Sequence, residues 1–206
     1  MEMAQTLPVM IKTNEWKQND QIIFVPQIIH FKNPLIMKKV NRKIEITIRY
    51  LMQRQYEEQG FSSFDQMIGM YEIKTNERNV LSISFTNYAI ANHAAHGLTL
   101  MKSLTFDLET GESKRLQRLF DSKSNYVDRI SSIVKDQISE RDIPVFEPFT
   151  SISPYQEFYV ADKALIIYFA IYEITPYYVG FPMFPISIYS LEDIIKEGSI
   201  LERLLP

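Results

Sequence analysis

The segment from Asn33 to Gly60 constrains the fold of this chain more than any other, because its pattern extends over many helical turns. It reads NPLIMKKVNRKIEITIRYLMQRQYEEQG. Asn33 is a residue type that caps helices, and Pro34 suits the first helical position, where its missing N–H is not needed. Apolar residues then recur at helical spacing, with charged residues available for the opposite face: Val40, Ile44, Ile48, Leu51; Lys38, Arg42, Glu45, Arg49. The pattern predicts one long amphipathic helix that ends near Gly60.

Strand patterns flank this helix. Residues 7–13 and 20–25 are rich in β-branched and apolar side chains, so they predict a hairpin with NEWKQND as its turn. Residues 69–91 predict two strands around the turn TNERN, and in the second Leu81, Ile83 and Phe85 alternate with polar residues as in a half-buried strand. LTLMKSLTFDLETGE continues the pattern, and Thr110-Gly111 predicts another tight turn.

The rest of the chain predicts one more main helix and further strands. The helix begins near Ser124, and its apolar stripe consists of Tyr126, Ile130, Ile133, Val134 and Ile138. EFYVAD, ALIIYFAIYEI and FPISIY then predict strands. SLEDIIKEG predicts a short helix, with Ser190 and Asp193 at the spacing of a capping box and Gly198 as its end.

These elements predict an α+β fold, since strands and helices do not alternate as they do in parallel βαβ proteins. We expect a mostly antiparallel sheet, two main helices and two interdependent lobes that share a core. The boundary is predicted near residue 70, with a small companion lobe at 1–70 and a larger α+β domain at 71–206. A chain of 206 residues with 46% hydrophobic residues is long and apolar enough for such a core.

Composition narrows the functional classes. A formal net charge of −3 without a basic run argues against nucleic acid as a partner, and the lack of cysteine excludes disulfides, thiol catalysis and cysteine-ligated zinc. The N-terminus lacks the basic and apolar regions of a signal peptide, and ALIIYFAIYEI is too short to cross about 30 Å of hydrocarbon. We therefore expect no membrane insertion, and either a cytoplasmic location or an export signal removed earlier.

The histidines of NHAAHGLTL, residues 92–100, form the first candidate site. His93 and His96 stand three apart, but zinc signatures with two close histidines place them on a helix beside a glutamate. Here Ala94 and Ala95 lie between them and the segment joins two strands, so no metal site is predicted. We expect a shaped turn in which Gly97 adopts a positive φ and His96 is available to a ligand.

The second candidate is YEITPYYVGFPMFP, residues 172–185, in which aromatics, prolines and one glycine accompany Glu173 as the only charge. Proline restricts a loop, and tyrosine combines a large ring with a hydroxyl, so the composition is typical of a rigid recognition loop. It is equally typical of a loop whose aromatics fill space over the core. Tyr177, Tyr178 and Phe181 are the ligand-binding residues predicted here.

No motif in the sequence favours a particular class of enzyme. The chain lacks a nucleophile elbow, a phosphate-binding glycine loop and a dinucleotide fingerprint, so we predict no catalytic residue and no cofactor. A carboxylate pair for glycoside hydrolysis would have to come from residues such as Glu72, Asp107, Asp162 and Glu173. Most such residues in a chain of this size are surface or turn carboxylates.

Several motifs occur in the order found in a known family: NVLSISFTNYAI, AAHG at 94–97, SLTFDLETGE followed by LQRLF, FYVADKALIIYFAIYEITPYYVG and FPISIY. On these motifs the chain resembles the bacterial domain that forms the extracellular part of the anti-sigma-V factor RsiV and accompanies the deacetylase domain of PdaC-type peptidoglycan deacetylases. The segment from IIFVPQI through NPLIMKKVNRKIEITI resembles the smaller companion domain that usually precedes it. The resemblance runs from about residue 7 to the end.

The resemblance implies a two-lobed, non-enzymatic module that binds lysozyme outside the membrane. No sigma-binding segment, transmembrane helix or deacetylase domain is found in this sequence, so we expect neither sigma-factor release nor deacetylation from it. We predict a binding or sensor module for a muramidase-like protein or a cell-wall glycan. The alternatives are an intracellular structural or regulatory protein that kept the fold, and a cell-wall glycan hydrolase.

Overall fold

The computed structural model describes residues 7–206. The prediction that the N-terminus is not a signal peptide rests partly on residues 1–6, which lie outside the described residues. The chain divides into two compact units, Met1–Ser113 (the N-terminal unit) and Lys114–Pro206 (the C-terminal unit). Each unit contains a sheet and at least one helix, and all but one of the strand pairs are antiparallel. The predicted α+β class is confirmed. No helix within residues 7–206 is both long enough and apolar enough to cross a bilayer.

The N-terminal unit has one six-stranded sheet whose strands lie side by side in chain order. Only β2 and β3 are parallel, because α1 stands between them in the chain and carries it back to the same end of the sheet. The elements are β1 (Met10–Gln18), β2 (Gln21–His30), α1 (Pro34–Gln59), β3 (Gln66–Glu77), β4 (Val80–Ile90), β5 (Leu98–Asp107) and β6 (Glu112–Ser113).

The ends of α1 are as predicted. The side-chain oxygen of Asn33 accepts hydrogen bonds from the backbone N–H groups of Leu35 and Ile36, and Pro34 is the first helical residue. At the other end Gly60 has φ 69° and its N–H donates to the carbonyl of Tyr56, which closes the last turn. The predicted apolar stripe is buried in the core of this unit: Val40, Ile44, Ile48 and Leu51.

The first hairpin is confirmed, but its predicted turn is wrong. Only Asn19 and Asp20 lie between the strands, and the residues before them continue β1, with Trp16 paired to Ile23 and Lys17 to Ile22. Asn19 supplies the positive φ (51°) that a two-residue turn requires, so the polar stretch ahead of it is free to be strand. The predicted TNERN turn likewise contracts to Arg78 and Asn79, both with positive φ.

The predicted lobe boundary near residue 70 falls inside β3, whereas the compact units of the structure meet between Ser113 and Lys114. The reason is strand pairing across that position. β3 pairs with β2 through Met67, Ile68 and Gly69, and along its whole length with β4, so strands on both sides of residue 70 belong to one sheet. Sequence order alone does not reveal such a pairing.

The alternation of β4 is confirmed on one face and corrected on the other. Leu81, Ile83 and Phe85 are buried as predicted, but Ser82 and Ser84 are buried as well. The Ser82 hydroxyl lies 2.9 Å from the Thr105 hydroxyl on β5, and this hydrogen bond satisfies it away from water. As an interior strand between β3 and β5, β4 is buried on both faces.

The C-terminal unit contains a three-stranded antiparallel sheet in chain order and two α-helices. The predicted helix α2 buries Ile130 and Val134 of its expected stripe. The elements are α2 (Tyr126–Glu140), β7 (Phe158–Ala161), β8 (Ala164–Tyr168), β9 (Met183–Ser187) and α3 (Ile200–Leu204), with short 3₁₀ helices at Leu116–Arg118, Tyr177–Val179 and Ile188–Ile194.

The predicted short helix near the C-terminus differs in type and capping. Residues 188–194 form a 3₁₀ helix, in which the buried Ile188 and Leu191 are three apart and so share a face. The Ser190 hydroxyl donates to the Ser187 carbonyl instead of capping an α-helix. The helix cap is supplied by Ser199, which accepts from the Glu202 N–H at the start of α3.

Candidate binding site in the C-terminal unit

The aromatic segment, residues 172–185, begins where β8 has ended and the chain reverses. β8 ends at Tyr168, and Tyr172 has a φ of 69°. The Glu173 N–H donates to the Ala170 carbonyl at 3.1 Å, and the Glu173 carboxylate accepts from the Ala170 N–H at 2.7 Å. The two hydrogen bonds close a tight turn, so the apolar run ALIIYFAIYEI is not one strand.

The middle of the aromatic segment is held by its own backbone. Tyr177–Val179 form a 3₁₀ helix after Pro176, and the N–H groups of Val179 and Gly180 donate to the carbonyls of Pro176 and Tyr177, each at 3.0 Å. Gly180 has φ 74° and ψ −133°, which a residue with a Cβ rarely adopts. The Ile174 carbonyl accepts from the Phe146 N–H at 3.0 Å, which ties the segment to a neighbouring loop.

The segment divides its rings between core and surface. Tyr178 is 78% exposed and Tyr172 is 51% exposed, whereas Phe184 is fully buried. Tyr177 and Phe181 are half-buried. The rings of Tyr172 and Tyr177 face each other at a tilt of 34° with centroids 5.5 Å apart. The segment therefore contributes Phe184 to the core and leaves Tyr172 and Tyr178 exposed at the surface.

The three exposed or half-exposed tyrosines are named here the tyrosine patch: Tyr172, Tyr177 and Tyr178. Tyr177 and Tyr178 are among the predicted ligand-binding residues, and Phe181 lies farther along the same segment. Tyr172 is not among the predicted ligand-binding residues, although it is the first residue of the predicted recognition segment and the third from the end of the run ALIIYFAIYEI. The backbone reverses at Tyr172, whose φ is positive, so this residue does not continue strand β8.

The fourth predicted site residue, His96, belongs to the N-terminal unit, in the histidine turn of residues 92–97 between β4 and β5. His93 and His96 are both exposed, and Nδ1 of His96 lies 3.1 Å from the Gly97 carbonyl oxygen. The predicted positive φ at Gly97 is wrong, since the residue with that conformation is His93, at 64°. Glycine is required at position 97 because its backbone is buried against the ring of Tyr88, which leaves no room for a side chain.

Replacing Gly97 by alanine is expected to lower the free energy of unfolding by about 1–2 kcal/mol. A Cβ at this position would stand 2.4–2.5 Å from the outer atoms of the Tyr88 ring, so that ring must swing away. Chemical denaturation of the variant measures the loss, and adding Tyr88→Leu is expected to recover part of it. An equal loss in the Tyr88→Leu background would contradict steric overlap as the cause.

The candidate carboxylates belong to both units, and Glu72, Asp107 and Glu173 are engaged in local structure. Glu72 pairs with Lys74, and Asp107 accepts the backbone N–H of Glu109 at 3.1 Å, both in the N-terminal unit. Glu173 closes the turn described above. Within the described residues no group of three His, Cys, Asp or Glu side chains is arranged to hold a metal ion.

A separate aromatic pair lies at the start of α2. The rings of Phe120 and Tyr126 stack with centroids 5.1 Å apart, and the Tyr126 hydroxyl donates to the Pro154 carbonyl at 3.2 Å. Burial raises the pKa of Tyr126, and the neighbouring Tyr155 phenol raises it further. The Tyr126 hydroxyl, which like any phenol is neutral at physiological pH, serves here as a hydrogen-bond donor.

Part of the sequence matches a known protein family, and the structure is similar to two solved structures. Residues 117–189 match the family described as a protein of unknown function (DUF3298). The structure is similar to the crystal structure of a DUF3298 family member from Bacteroides fragilis, with a TM-score of 0.71 at 13% identity over 97% of this chain and 99% of that one. It is also similar to a DUF3298 family protein from Pseudomonas aeruginosa PAO1, with a TM-score of 0.66 at 15% identity over 98% of both chains.

No curated protein sequence matches this chain. At these identities the two structural similarities show the fold alone. They extend over both units, whereas the family match falls within the C-terminal unit and includes the whole aromatic segment.

Proposed function

We propose that this chain is a non-enzymatic binding module whose tyrosine patch contacts a partner protein. The observation that carries the proposal is the exposure of Tyr172 and Tyr178 on a backbone closed by its own hydrogen bonds. Exposed tyrosines on a rigid segment bring a large contact area and a hydroxyl to a partner, and little conformational entropy is lost when they bind.

The packing of the C-terminal unit supports this role. Phe120, Tyr168 and Phe184 are buried in this unit, so its core does not depend on the rings that remain outside. The pairing of Tyr172 with Tyr177 orients one exposed ring against a half-buried one, which limits the motion of both. Such an arrangement is typical of the aromatic anchors that carry most of the binding energy at protein interfaces.

The stretch of sequence that contains the patch is more acidic than basic, which favours a partner with a basic surface. Between Pro144 and Ser190 the chain contains Glu147, Glu157, Asp162 and Glu173 but a single basic residue, Lys163. One further cation, Arg141, contacts the aromatic segment by donating to the Met183 carbonyl at 2.8 Å. Opposite charge at the rim of an interface accelerates association and selects among partners. The resemblance to the lysozyme-binding family points in the same direction, toward a muramidase-like protein, and a cell-wall glycan is the alternative ligand.

The test is a binding series on the intact chain. Tyr178→Ala and Tyr172→Ala are each expected to weaken binding to an immobilised basic muramidase by about thirtyfold, which corresponds to an interface anchor of about 2 kcal/mol. Surface plasmon resonance measures the change. Tyr189→Ala is the matched control, because Tyr189 is 47% exposed in the same unit but outside the aromatic segment.

The same series separates the competing outcomes. Phe181→Ala and His96→Ala test the remaining predicted contacts. Saturable binding of peptidoglycan fragments without muramidase binding would replace the protein partner with a glycan. If the folded chain bound neither, or if Tyr178→Ala and Tyr189→Ala had the same effect, the proposal would fail.

A further inference from the structure

A cleft of about 310 Å³ lies in the N-terminal unit between the turn end of the first hairpin and the middle of α1. It has no counterpart in the proposed function, which concerns the other unit. Its lining combines one guanidinium, two amides, one indole and two aliphatic side chains: Trp16, Gln18, Gln21, Ile23, Arg49 and Met52. Lys17 also lines the cleft.

The pleat of the hairpin explains why these residues converge. Trp16 pairs with Ile23, and Gln18 pairs with Gln21. Side chains two apart in a strand, and those directly opposite in an antiparallel pair, lie on the same face. Ile23 belongs to the core that packs against α1, so all four side chains belong to the face that α1 covers. The same alternation assigns Lys17 to the other face.

Helix α1 contributes Arg49 and Met52 to the cleft, and the helical period places them side by side. Arg49 and Met52 are three apart and therefore neighbours on the surface of α1. The guanidinium carbon of Arg49 lies 4.4 Å from the centroid of the Trp16 ring, a cation–π contact that holds the arginine over the cleft.

The polar groups of the cleft are not used elsewhere in the described chain. Within residues 7–206, Arg49 forms no ion pair, and neither Gln18 nor Gln21 forms a side-chain hydrogen bond. A guanidinium stacked on an indole keeps the N–H groups at its edge directed outward in the plane. The cleft thus presents an oriented cation and two amides beside apolar Ile23 and Met52.

From this arrangement we infer that the Trp16–Arg49 cleft is a binding site for a small organic carboxylate. A planar guanidinium matches the two oxygens of a carboxylate, and the adjoining amides donate to the same group. One arginine balances one negative charge, and the aliphatic lining accommodates a short apolar body. The volume is at the lower end of small-molecule sites.

Trp16 is the only tryptophan of the chain, so its fluorescence reports directly on the cleft. Butyrate is expected to change this fluorescence saturably, whereas the same ionic strength of chloride has no effect and inorganic phosphate binds more weakly. Arg49→Gln is expected to raise the dissociation constant of butyrate at least about tenfold, the loss of one charge-assisted hydrogen bond. Arg49→Lys, which keeps the charge but not the planar fork, is also expected to weaken binding.

Arg42→Gln is the matched control, because it removes the same charge from α1 two turns away and its residue does not line the cleft. It should leave the butyrate affinity unchanged, and far-ultraviolet circular dichroism of every variant checks the fold. A fluorescence change that chloride reproduces, that phosphate exceeds, or that survives Arg49→Gln would overturn the assignment. Because the proposed function is tested in the other unit, either proposal can fail alone.

Discussion

Replacing Gln55 by glutamate is expected to lower the free energy of unfolding by about 3–5 kcal/mol at pH 7, the cost of an uncompensated buried charge. Gln55 lies in α1 and is fully buried. Its Nε2 donates to the carbonyl oxygens of Asn87 at 2.6 Å and Leu98 at 3.1 Å, so both amide hydrogens are used. Its Oε1 accepts from Nε2 of Gln59 at 2.8 Å.

Glutamate occupies the same volume but reverses this chemistry. A carboxylate has no hydrogen to donate, so it would face two carbonyl oxygens as a buried negative charge and leave both without their donor. Only the hydrogen bond from Gln59 would remain. These carbonyls belong to the strands that enter and leave the histidine turn, so we expect the end of the β4–β5 ladder to loosen first.

The loss is expected to depend on pH with a definite sign. Burial raises the pKa of the introduced carboxyl in the folded state above its unfolded value of about 4.3, so the folded state binds more protons in the interval between them. Stability therefore falls as the pH rises through that interval, and the variant approaches the parent protein below pH 4. Urea unfolding at pH 4 and pH 7, each relative to the parent protein, measures the difference.

Gln53→Glu is the matched control, because Gln53 is exposed on the same helix. It should change the stability by less than about 0.5 kcal/mol at either pH. A Gln55→Glu loss that equals that of the control, or that does not vary with pH, would contradict the buried donor role.

Gly69→Ala is expected to lower the free energy of unfolding by about 2–3 kcal/mol, at the upper end of the range for overpacking. Gly69 lies on β3 opposite Ile23 of β2, in the parallel pair of the first sheet. A Cβ at Gly69 would stand 2.7 Å from Cγ2 and 2.9 Å from Cδ1 of Ile23. Ile23 is buried and its Cγ2 is attached next to the backbone, so relief requires the strands to move apart.

A double-mutant cycle identifies this overlap as the cause. Ile23→Ala removes both carbons, so Gly69→Ala in that background is expected to cost less than about 1 kcal/mol. Denaturation followed by Trp16 fluorescence and by circular dichroism gives the four stabilities. Equal costs of Gly69→Ala in both backgrounds would show that the loss has another origin.

The elements of the fold were largely predictable where local chemistry decides them. Asn33, Pro34 and Gly60 mark the ends of α1 because capping and φ preference act within a few residues. The alternation of Leu81, Ile83 and Phe85 identified β4 because the pleat has a period of two. The hairpin turn was less predictable, since Trp16 and Lys17 are compatible with either turn or strand until the partner strand fixes the register.

The candidate site was predictable only in part. Composition pointed to the aromatic segment and to Tyr177 and Tyr178, but the same composition fits the buried Phe184 and the exposed Tyr172. Which ring faces the core depends on the backbone reversal at Tyr172 and on the end of β8. The Trp16–Arg49 cleft was beyond sequence reasoning, because Arg49 was only one of several charges on a polar helix face.

By itself the amino-acid order determined the helix caps, the strand periods and the α+β class, since each results from interactions between residues close together in the chain. Only the tertiary structure decided that β2 and β3, which precede and follow the long helix in the chain, pair with each other. It also decided that Gln55 donates to two strand carbonyls and that Tyr178 faces solvent. These outcomes depend on contacts between segments far apart in the chain, whose register and burial are set by packing.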